Sequence, residues 1–438
     1  MTGGYPDGTI EQMPRNQLRA LQSERLQSIV RWAYDRSLFY KQRFDEYGVD
    51  PRSIQSVDDL TDLPFTVKGD FREHYPLGML AAPREQLARV QASSGTRGKL
   101  TVVAYTKRDV ETWAEVCARS LALAGARPGD TVQNAYGYGL FTGGLGLHYG
   151  AERLGATVIP MSGGNTLRQV TLLRDLGAQV LCCTPSYALI IAEVLEREGI
   201  TTDELALRVG VFGAEPWSEA IRLEVEERLG IHAVDIYGLS EVIGPGVACE
   251  CVEARDGLHL MEDHFLAEVV NPATGEPAPD GEFGELVLTT LTKEAMPVIR
   301  YRTGDISAIV DEPCSCGRTH RRMARLRGRI DDMIVLHGVN VYPSEVEATL
   351  LGFDEIAPFY QIVLDRDSGR ETVEVQAEIT PQYSEAAIDA DMQILAAQIT
   401  RLLKSRFDLT MRVRLLQPGE LGRIEAGKAI RVVDRRTG

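Results

Sequence analysis

The spacing of apolar side chains differs between the N-terminal segment and the rest of the chain. From Met13 to Tyr47 apolar positions recur with a helical period, which predicts an N-terminal helical segment. Beyond it, short apolar runs alternate with helical patterns, as expected when neighbouring parallel strands are joined by long crossovers. This alternation predicts an α/β core with a mainly parallel sheet. The predicted strands are Thr131 to Ala135, Ala156 to Pro160, Val180 to Thr184 and Arg208 to Phe212, and the helices between them include Thr166 to Leu176 and Glu215 to Leu229.

The pattern changes at about Phe265 to short strands of alternating polarity, separated by turns rich in glycine and proline. This region, about 265–330, is predicted to be an antiparallel β subdomain. We predict a large N-terminal α/β domain over residues 1–331 and a small C-terminal α+β domain over residues 332–438. The predicted elements of the small domain are helices Pro343 to Leu351 and Ala386 to Ser405 and strands Glu371 to Ile379 and Arg412 to Leu416.

Composition and charge narrow the class of protein. The 438 residues include 47 basic and 63 acidic side chains, a net charge of −16, which argues against binding to nucleic acid. The N-terminus does not resemble a secretion signal, and the most apolar stretch, Val180 to Val194, is interrupted by polar residues and too short to span a membrane. We therefore expect a cytoplasmic protein without a membrane segment. Its seven cysteines are better explained as thiols or metal ligands than as disulfides.

A glycine-rich stretch, Ser93 to Lys99 (SSGTRGK), is the first candidate for chemistry. Its hydroxylated residues, glycines and cation can surround a phosphate with hydrogen-bond donors. It is not a Walker A loop, because only two residues separate its glycines and a strand pattern follows it. We predict a strand, a turn and a second strand that form a flap over the outer phosphates of a nucleotide. The alternative is a simple hairpin loop.

A second glycine-rich stretch, Tyr136 to Gly144 (YGYGLFTGG), follows a predicted strand. Its spacing imitates a dinucleotide-binding fingerprint, but the acidic residue expected about 20 residues later is missing, which disfavours hydride transfer. Two interpretations remain. Either the glycines only let a helix approach the sheet, or Tyr136 and Phe141 line a pocket that accepts an aromatic group.

Three further loop signals each follow a predicted strand, where open α/β sheets place ligand-binding residues. They are GAEPW (Gly213 to Trp217), YGLSE (Tyr237 to Glu241) and YRTGD (Tyr301 to Asp305). Tyr237 offers a flat aromatic face, Glu241 a hard oxygen ligand for Mg²⁺, and Asp305 an acceptor for two neighbouring hydroxyl groups. For each loop taken singly, the alternative is an ordinary surface turn.

The cysteines form a separate signal. Cys314 and Cys316 lie in a predicted turn, and Cys249 and Cys251 lie upstream with His259. Zinc prefers four nitrogen or sulfur ligands in a tetrahedron, and two close pairs suit a closed structural site. The predicted ligands are Cys251, His259, Cys314 and Cys316, with Cys249 in reserve. The alternative is a set of unpaired thiols beside a surface histidine.

Together and in this order, the loop segments resemble the phenylacetate-CoA ligase family of the adenylate-forming, AMP-producing ligases. The resemblance extends from about Leu63 to Lys428 and specifies the family better than the substrate. The segments that carry it are NAYGYGLFTGGLGLHYGAERLGATVIPMSGGNT, GAEPW, IYGLSEVIGPGVACECVEARDGLHLMEDHF, PVIRYRTGD and GRIDDMIVLHGVNVYPSEVE.

The resemblance implies a role for each matching residue. The flap would hold the β- and γ-phosphates of ATP, with Arg97 where a second threonine is more usual. Tyr237 would stack on adenine, Glu241 would bind Mg²⁺, Asp305 would hold the ribose hydroxyls, and Lys428 would be the lysine of the adenylation step. Asp331 would be the hinge between the domains. The remaining expected residues are Ser93, Ser94, Gly95, Thr96, Gly98, Lys99, Ala214, Glu215, Pro216, Asp235, Gly238, Ser240 and Arg329 for ATP, and Tyr136, Phe141 and Gly213 for the acid.

The resemblance therefore implies an ATP-dependent ligase that joins an aromatic acid to coenzyme A through an acyl-adenylate. Its partners would be ATP, Mg²⁺, coenzyme A and an arylacetate, with any zinc purely structural and a homodimer left open. One alternative keeps the adenylation and transfers the acyl group to an amine or a carrier-protein thiol. Another is a catalytically idle regulatory protein that binds nucleotide or zinc.

Overall fold

A computed structural model describes residues 4, 8–93, 100–279, 281–336, 339–367, 370–425 and 427–436. The α-helices in these ranges are α1 Gly8–Glu11, α2 Arg15–Arg36, α3 Leu38–Tyr47, α4 Lys68–Glu73, α5 Lys107–Leu123, α6 Thr142–Leu154, α7 Thr166–Asp175, α8 Pro185–Arg197, α9 Glu219–Leu229, α10 Pro343–Leu350, α11 Pro381–Ala386 and α12 Asp389–Phe407. The strands are β1 Leu87–Ser93, β2 Thr101–Thr106, β3 Thr131–Asn134, β4 Thr157–Ile159, β5 Val180–Cys183, β6 Val209–Gly213, β7 His232–Leu239, β8 Gly244–Glu250, β9 Leu258–Leu260, β10 Phe265–Val270, β11 Gly284–Thr290, β12 Tyr301–Ser307, β13 Ile309–Val310, β14 Arg322–Met323, β15 Gly328–Arg329, β16 Ile334–Leu336, β17 Val339–Val341, β18 Ile356–Asp367, β19 Arg370–Ile379, β20 Arg412–Leu416 and β21 Val432–Asp434.

The N-terminal segment is helical, as its periodicity predicts. Helix α2 buries Leu18, Leu26, Ile29 and Ala33, which lie on one face at helical spacing. Helix α3 ends where Gly48 adopts a left-handed conformation, with φ of 66°. Within the described ranges, no helix combines the length and apolar character that a membrane-spanning segment needs.

The large sheet is parallel in one half and antiparallel in the other. Its order is β13-β14-β9-β8-β7-β6-β5-β3-β4, and the pairs from β4 to β7 are parallel while those from β7 to β13 are antiparallel. The parallel half confirms the predicted strands to within a residue or two. The antiparallel half was not foreseen, because β8 and β9 lie in a stretch with no clear alternation. The turn from β7 into β8 reverses the chain directly at the carboxyl edge of the parallel strands.

The remaining strands form smaller sheets. Strands β10, β11, β12 and β15 form an antiparallel sheet, and β1 with β2 forms a separate hairpin. Near the C-terminus, β20-β19-β18-β21 is a mixed sheet covered by α10 and α12. Its apolar side chains form a cluster of their own, separate from the two clusters that surround the large sheet. The small unit thus has its own core.

Candidate functional site

The carboxyl edge of the parallel strands carries the first group of candidate residues. Gly213 ends β6, and a β-carbon there would lie 2.2 Å from the carbonyl oxygen of Ile236, so this strand end accepts only glycine. The next residue, Ala214, has a φ of 70°, which is costly for a residue with a side chain. This sharp turn directs Glu215 away from the strand and over the sheet edge.

Glu215 joins two parts of the protein. One carboxylate oxygen accepts the backbone N–H of Ser186 at 2.9 Å, at the start of α8. The other accepts the backbone N–H of Ala429 at 2.8 Å, from the C-terminal segment next to Lys428. The resemblance places Glu215 beside adenine. The structure adds that its carboxylate holds the lysine-bearing segment against the large domain.

Tyr237, Asp305 and Arg329 form one network between the large sheet, which carries Tyr237, and the antiparallel sheet of β12 and β15, which carries the other two residues. The Tyr237 hydroxyl donates to one Asp305 oxygen at 2.6 Å, and Arg329 pairs with the other. Burial raises the pKa of Asp305, and the neighbouring Arg329 opposes that rise. Burial also raises the pKa of Tyr237 well above its usual value, and the Asp305 charge adds to it. The network thus keeps a neutral phenol against a carboxylate.

Glu241 lies in the reversal between β7 and β8, and the structure shows a supporting residue that the sequence analysis missed. Lys293 is buried, and its Nζ donates to the backbone carbonyl of Glu241 at 2.9 Å. Burial lowers the pKa of Lys293 to about 8, although Asp109 and Glu241 favour its charge. Within the described ranges the Glu241 carboxylate forms no ion pair, since Lys293 contacts its backbone carbonyl instead. Burial raises the pKa of the neighbouring Tyr301 well above its usual value, and the Glu241 charge adds to this rise. Nothing in the sequence marks Lys293, which stands between Thr292 and Glu294 as an ordinary charged residue.

The predicted flap is a hairpin whose base packs on the glycine-rich loop. Strands β1 and β2 are antiparallel, and Ser93 lies at the end of β1. The buried Gln91 donates to the carbonyls of Gly139, at 3.3 Å, and Phe141, at 3.1 Å. Sequence reasoning missed Gln91. The other predicted phosphate-binding residues, Ser94, Gly95, Thr96, Gly98 and Lys99, lie outside the described residues.

The base of the flap is connected to the β7–β8 reversal through the start of helix α6. Helix α6 begins directly after the loop that Gln91 holds, and its first residue, Thr142, hydrogen-bonds to Ser240 at 3.1 Å. Ser240 is the first residue of the β7–β8 reversal, three residues after Tyr237. A continuous set of contacts therefore links Ser93 to Tyr237. A β-carbon on Gly238 would lie 1.9 Å from the carbonyl oxygen of Gly244, so only glycine fits between these strands.

The YGYGLFTGG stretch is packed closely around its glycines. A β-carbon on Gly143 would lie 3.0 Å from the Phe141 ring and 3.4 Å from the Tyr136 ring, so the two aromatic side chains flank this helix start. Tyr136 is buried, and its hydroxyl has no hydrogen-bond partner in the described ranges. The helix also needs small residues, because a β-carbon on Gly150 would meet Cys117 at 2.4 Å.

Lys428 reaches this site from the small domain. Its side chain remains accessible to solvent but is crowded by protein atoms, and burial together with the nearby Arg329 lowers its pKa. Asp305 and Glu215 act in the opposite direction and favour the ammonium form. Asp331 lies in a short 3-10 helix, Ile330–Asp332, between β15 and β16. It follows Arg329 closely and precedes the small domain.

Two other predicted ATP-binding residues lie near the site without joining the Asp305 network. Asp235 lies two residues before Tyr237 on β7, and its carboxylate is 3.6 Å from Arg325. Burial raises the pKa of Asp235, and the charge of Glu250 raises it further. Pro216 lies in the turn between Glu215 and the start of α9.

The four predicted zinc ligands come together. One donor atom from each of Cys251, His259, Cys314 and Cys316 lies within 4.8 Å of the others. The Sγ atoms of Cys251 and Cys314 are 3.6 Å apart, and Cys316 Sγ is 3.3 Å from His259 Nε2. These spacings match the edges of a tetrahedron with bonds of about 2.3 Å to sulfur. Nδ1 of His259 lies 3.2 Å from the carbonyl of His320, which orients the ring.

Cys249, the reserve ligand, faces elsewhere. Its Sγ lies 3.5 Å from the carbonyl oxygen of Ser120 in α5. Cys249 is the last but one residue of β8, whereas Cys251 follows the strand end. The chain turns there, so the two thiols do not share a face.

Comparisons with known proteins find relatives along nearly the whole chain. Residues 19–291 match the AMP-binding enzyme family, and residues 338–436 match the AMP-binding enzyme C-terminal domain. The chain is 53% identical to phenylacetate-coenzyme A ligase of Thermus thermophilus, with 98% of each chain covered. It is 50% identical to phenylacetate-coenzyme A ligase of Aromatoleum evansii, with 98% of this chain and 96% of the relative covered.

A solved structure also reports on the arrangement of the domains. The chain superposes with a TM-score of 0.91 on 2-hydroxyisobutyryl-CoA ligase in its postadenylation state with a bound acyl-adenylate, at 28% identity over 98% of this chain and 92% of that one. On the thioesterification state of the same enzyme, with coenzyme A bound, the TM-score is 0.72 over the same shares. The arrangement of the whole chain therefore resembles the postadenylation state of that enzyme more than its thioesterification state.

Proposed function

The chain belongs to the AMP-binding enzyme family and, within it, to the phenylacetate-coenzyme A ligases, and on this premise we propose that it joins phenylacetate or a related aromatic acid to coenzyme A. In the first step the carboxylate attacks the α-phosphorus of ATP, and pyrophosphate leaves. In the second step the thiolate of coenzyme A attacks the acyl carbon, and AMP leaves. The observation that carries this proposal most strongly is the hydrogen bond from the N–H of Ala429 to Glu215, which brings the segment of Lys428 to the ends of strands β6 and β7.

The first step brings two anions together, so it needs positive charge at the point of attack. Lys428 supplies an ammonium group that stabilises charge on the carboxylate and the α-phosphate in the transition state. Asp305 and Glu215 favour this ammonium form, although burial and Arg329 lower the pKa of Lys428. Glu215 holds this segment in place through the N–H of Ala429.

The nucleotide lies along the carboxyl ends of β6 and β7, beside β12 of the neighbouring sheet. Tyr237 stacks on adenine, bordered by the turn of Ala214 to Pro216. The ribose hydroxyls donate hydrogen bonds to the Asp305 carboxylate, which keeps free lone pairs beside those used by Tyr237 and Arg329. Ser93, at the base of the flap, faces the outer phosphates.

The donor set suits a magnesium ion. Glu241 offers a carboxylate that is buried and not paired with a cation in the described ranges, and Mg²⁺ favours one or two such oxygens beside substrate phosphates. When bound, Mg²⁺ supplies neutralisation of the phosphate charge. Lys293 holds the Glu241 backbone so that this carboxylate keeps its direction.

The second step requires the small domain to move. Asp331 lies on the connection between the domains, where a change of a few backbone angles can rotate the small domain and withdraw Lys428. The vacated face then admits the thiol of coenzyme A.

The acid lies beside Tyr136 and Phe141, next to Gly213 at the end of β6. Two aromatic rings at one helix start provide apolar contact area for an aromatic ring. An arylacetate therefore fits this position better than a charged or strongly polar acid.

The Cys251, His259, Cys314 and Cys316 cluster holds a structural zinc ion in this proposal. Four nitrogen and sulfur donors make a closed set with no open position for substrate. Elemental analysis of protein purified without chelator should give about one zinc per chain. Protein with no metal would remove this part of the proposal.

We place the enzyme in the cytoplasm, where ATP and coenzyme A are available. The homodimer left open by the sequence stays a prediction. Light scattering on purified protein measures it directly.

The experiment that tests the function measures the two steps separately. Exchange of labelled pyrophosphate into ATP should depend on phenylacetate, and phenylacetyl-CoA should form only when coenzyme A is added. Exchange without a thioester product would point to an amine or a carrier-protein thiol as acceptor. No exchange with any aromatic acid would favour the idle regulatory protein.

A further inference from the structure

The segment that bears Lys428 is held by contacts that its motif does not explain. Between β20 and β21 the described residues form no helix or strand. A segment without regular backbone hydrogen bonds needs side chains to fix its path. Arg423, five residues before Lys428, makes the most extensive of these contacts.

One set of contacts ties Arg423 to its own domain. The buried Glu378, on β19, accepts N–H groups of Gly419 at 3.0 Å and Leu421 at 2.7 Å. The Glu378 carboxylate also accepts hydrogen bonds from both terminal nitrogens of Arg423, at 2.9 and 2.8 Å. Because every partner belongs to the small domain, this arrangement moves with that domain.

A second set of contacts crosses to the large domain. Arg423 donates Nε and Nη2 to the two oxygens of Glu193, at 3.0 and 2.8 Å. Glu193 lies on α8, whose first turn is joined to Glu215 and hence to Ala429. A bidentate guanidinium–carboxylate pair is directional and stronger than a single neutral hydrogen bond.

The crossing contact is partly shielded from water. The Arg423 guanidinium stacks on the Phe359 ring at 3.5 Å, and its side chain is 19% exposed. Phe359 and Leu351 of the small domain pack against the apolar cluster that contains α8. The pair therefore lies at the edge of an apolar contact between the domains, where charge interactions are less screened than on an open surface.

We propose that Arg423 and Glu193 form a latch that holds Lys428 in the adenylation site and opens for the second step. Arg423 lies only five positions before Lys428 in the sequence, so a movement that withdraws the lysine also pulls Arg423 from Glu193. Glu378 keeps Arg423 oriented while the latch is open, which favours its closing again. Both latch residues are positioning residues. The inference rests on the proposed two-step reaction.

The test compares two glutamates of the same helix. Glu193→Gln removes the charge of the latch, whereas Glu196→Gln removes a charge that pairs at 2.8 Å with Arg228 inside the large domain. Glu193→Gln should slow phenylacetate-dependent pyrophosphate exchange about fivefold, as expected for loss of one partly exposed ion pair. Thioester formation from supplied phenylacetyl-AMP should be unchanged or faster. Glu196→Gln should leave both rates unchanged.

Hydrogen exchange provides a readout that needs no substrate. The N–H groups of Gly164 and Ala429 bond across the domains, to Glu425 and Glu215. In Glu193→Gln, peptides that contain them should exchange about fivefold faster, with no change in Glu196→Gln. Equal behaviour of the two variants, or equal loss in both half-reactions, would overturn the latch. If the unmodified enzyme exchanges no labelled pyrophosphate into ATP, the proposed function itself is contradicted.

Discussion

The cleft around Asp305 and the Cys–His cluster both place polar side chains in the interior of the protein, but the two sites are assembled differently. The four cluster side chains all come from residues 251–316, and three of them are buried. The cleft combines Asp305 and Arg329 with Lys428 from the small domain, which solvent still reaches. The cluster is closed on itself, whereas the cleft is completed by a part that can leave.

Because of this difference, we expect the Cys–His cluster to affect the stability of the fold and the cleft to affect the reaction rate. A closed set of donors fixes chain segments relative to one another, so its loss should lower the free energy of unfolding. A cleft completed by a second domain gains little stability from its catalytic groups but depends on them for rate. Changes in the two regions should therefore give opposite patterns of effects.

The largest effect in the cleft is expected from Glu241→Gln. Loss of the carboxylate that would hold Mg²⁺ should slow adenylation by about a thousandfold, because phosphate charge is less well neutralised. The melting temperature should change little. Pyrophosphate exchange over a range of Mg²⁺ concentrations measures this, with Glu276→Gln on an exposed turn as the control. Normal exchange at limiting Mg²⁺ would remove Glu241 from the metal site.

In the cluster, Cys316→Ser should show the reverse pattern. We expect the free energy of unfolding to fall by about 3 kcal/mol and the zinc content to drop, because one of four ligands is lost. Adenylation below the unfolding transition should be close to normal. Denaturant unfolding with metal analysis measures both.

Cys249→Ser is the matched control for this change, because that thiol is buried beside the cluster but faces Ser120. It should retain zinc. Zinc lost from Cys249→Ser and kept in Cys316→Ser would contradict the assigned ligands.

A smaller effect is expected in the pH dependence of adenylation. Burial and Arg329 lower the pKa of Lys428 from its usual 10.5, so the ammonium group should lose its proton at a lower pH than an ordinary lysine. Pyrophosphate exchange should therefore decline on the alkaline side below pH 10.5. Lys428→Arg should lack this decline in whatever activity it retains, since arginine stays charged. The same decline in Lys428→Arg would assign it to another group.

Much of the fold could be predicted, because local patterns specify it. The helical spacing of Leu18, Ile29 and Ala33 and the apolar strands from β3 to β6 all appear in the structure. The antiparallel half of the large sheet could not be predicted. It depends on which strands pair across the β7–β8 reversal, and that pairing is set by contacts distant in sequence.

The candidate site was predictable to the extent that it rests on motifs. Tyr237, Glu241, Asp305 and Lys428 lie in recognisable segments, whereas the supporting residues do not. Lys293 is an ordinary lysine in the sequence, and its burial against the Glu241 carbonyl exists only in the folded chain.

Side-chain direction was a further limit. A strand period of two would place Cys249 and Cys251 on one face, so spacing alone could not choose between them. The choice follows from the end of β8 at Glu250, which the sequence does not mark.

The most direct test of the account measures the two half-reactions of Lys428→Ala. Phenylacetate-dependent pyrophosphate exchange should fall by orders of magnitude, while conversion of supplied phenylacetyl-AMP and coenzyme A to the thioester stays near normal. An equal loss in both half-reactions, or unchanged exchange, would contradict it.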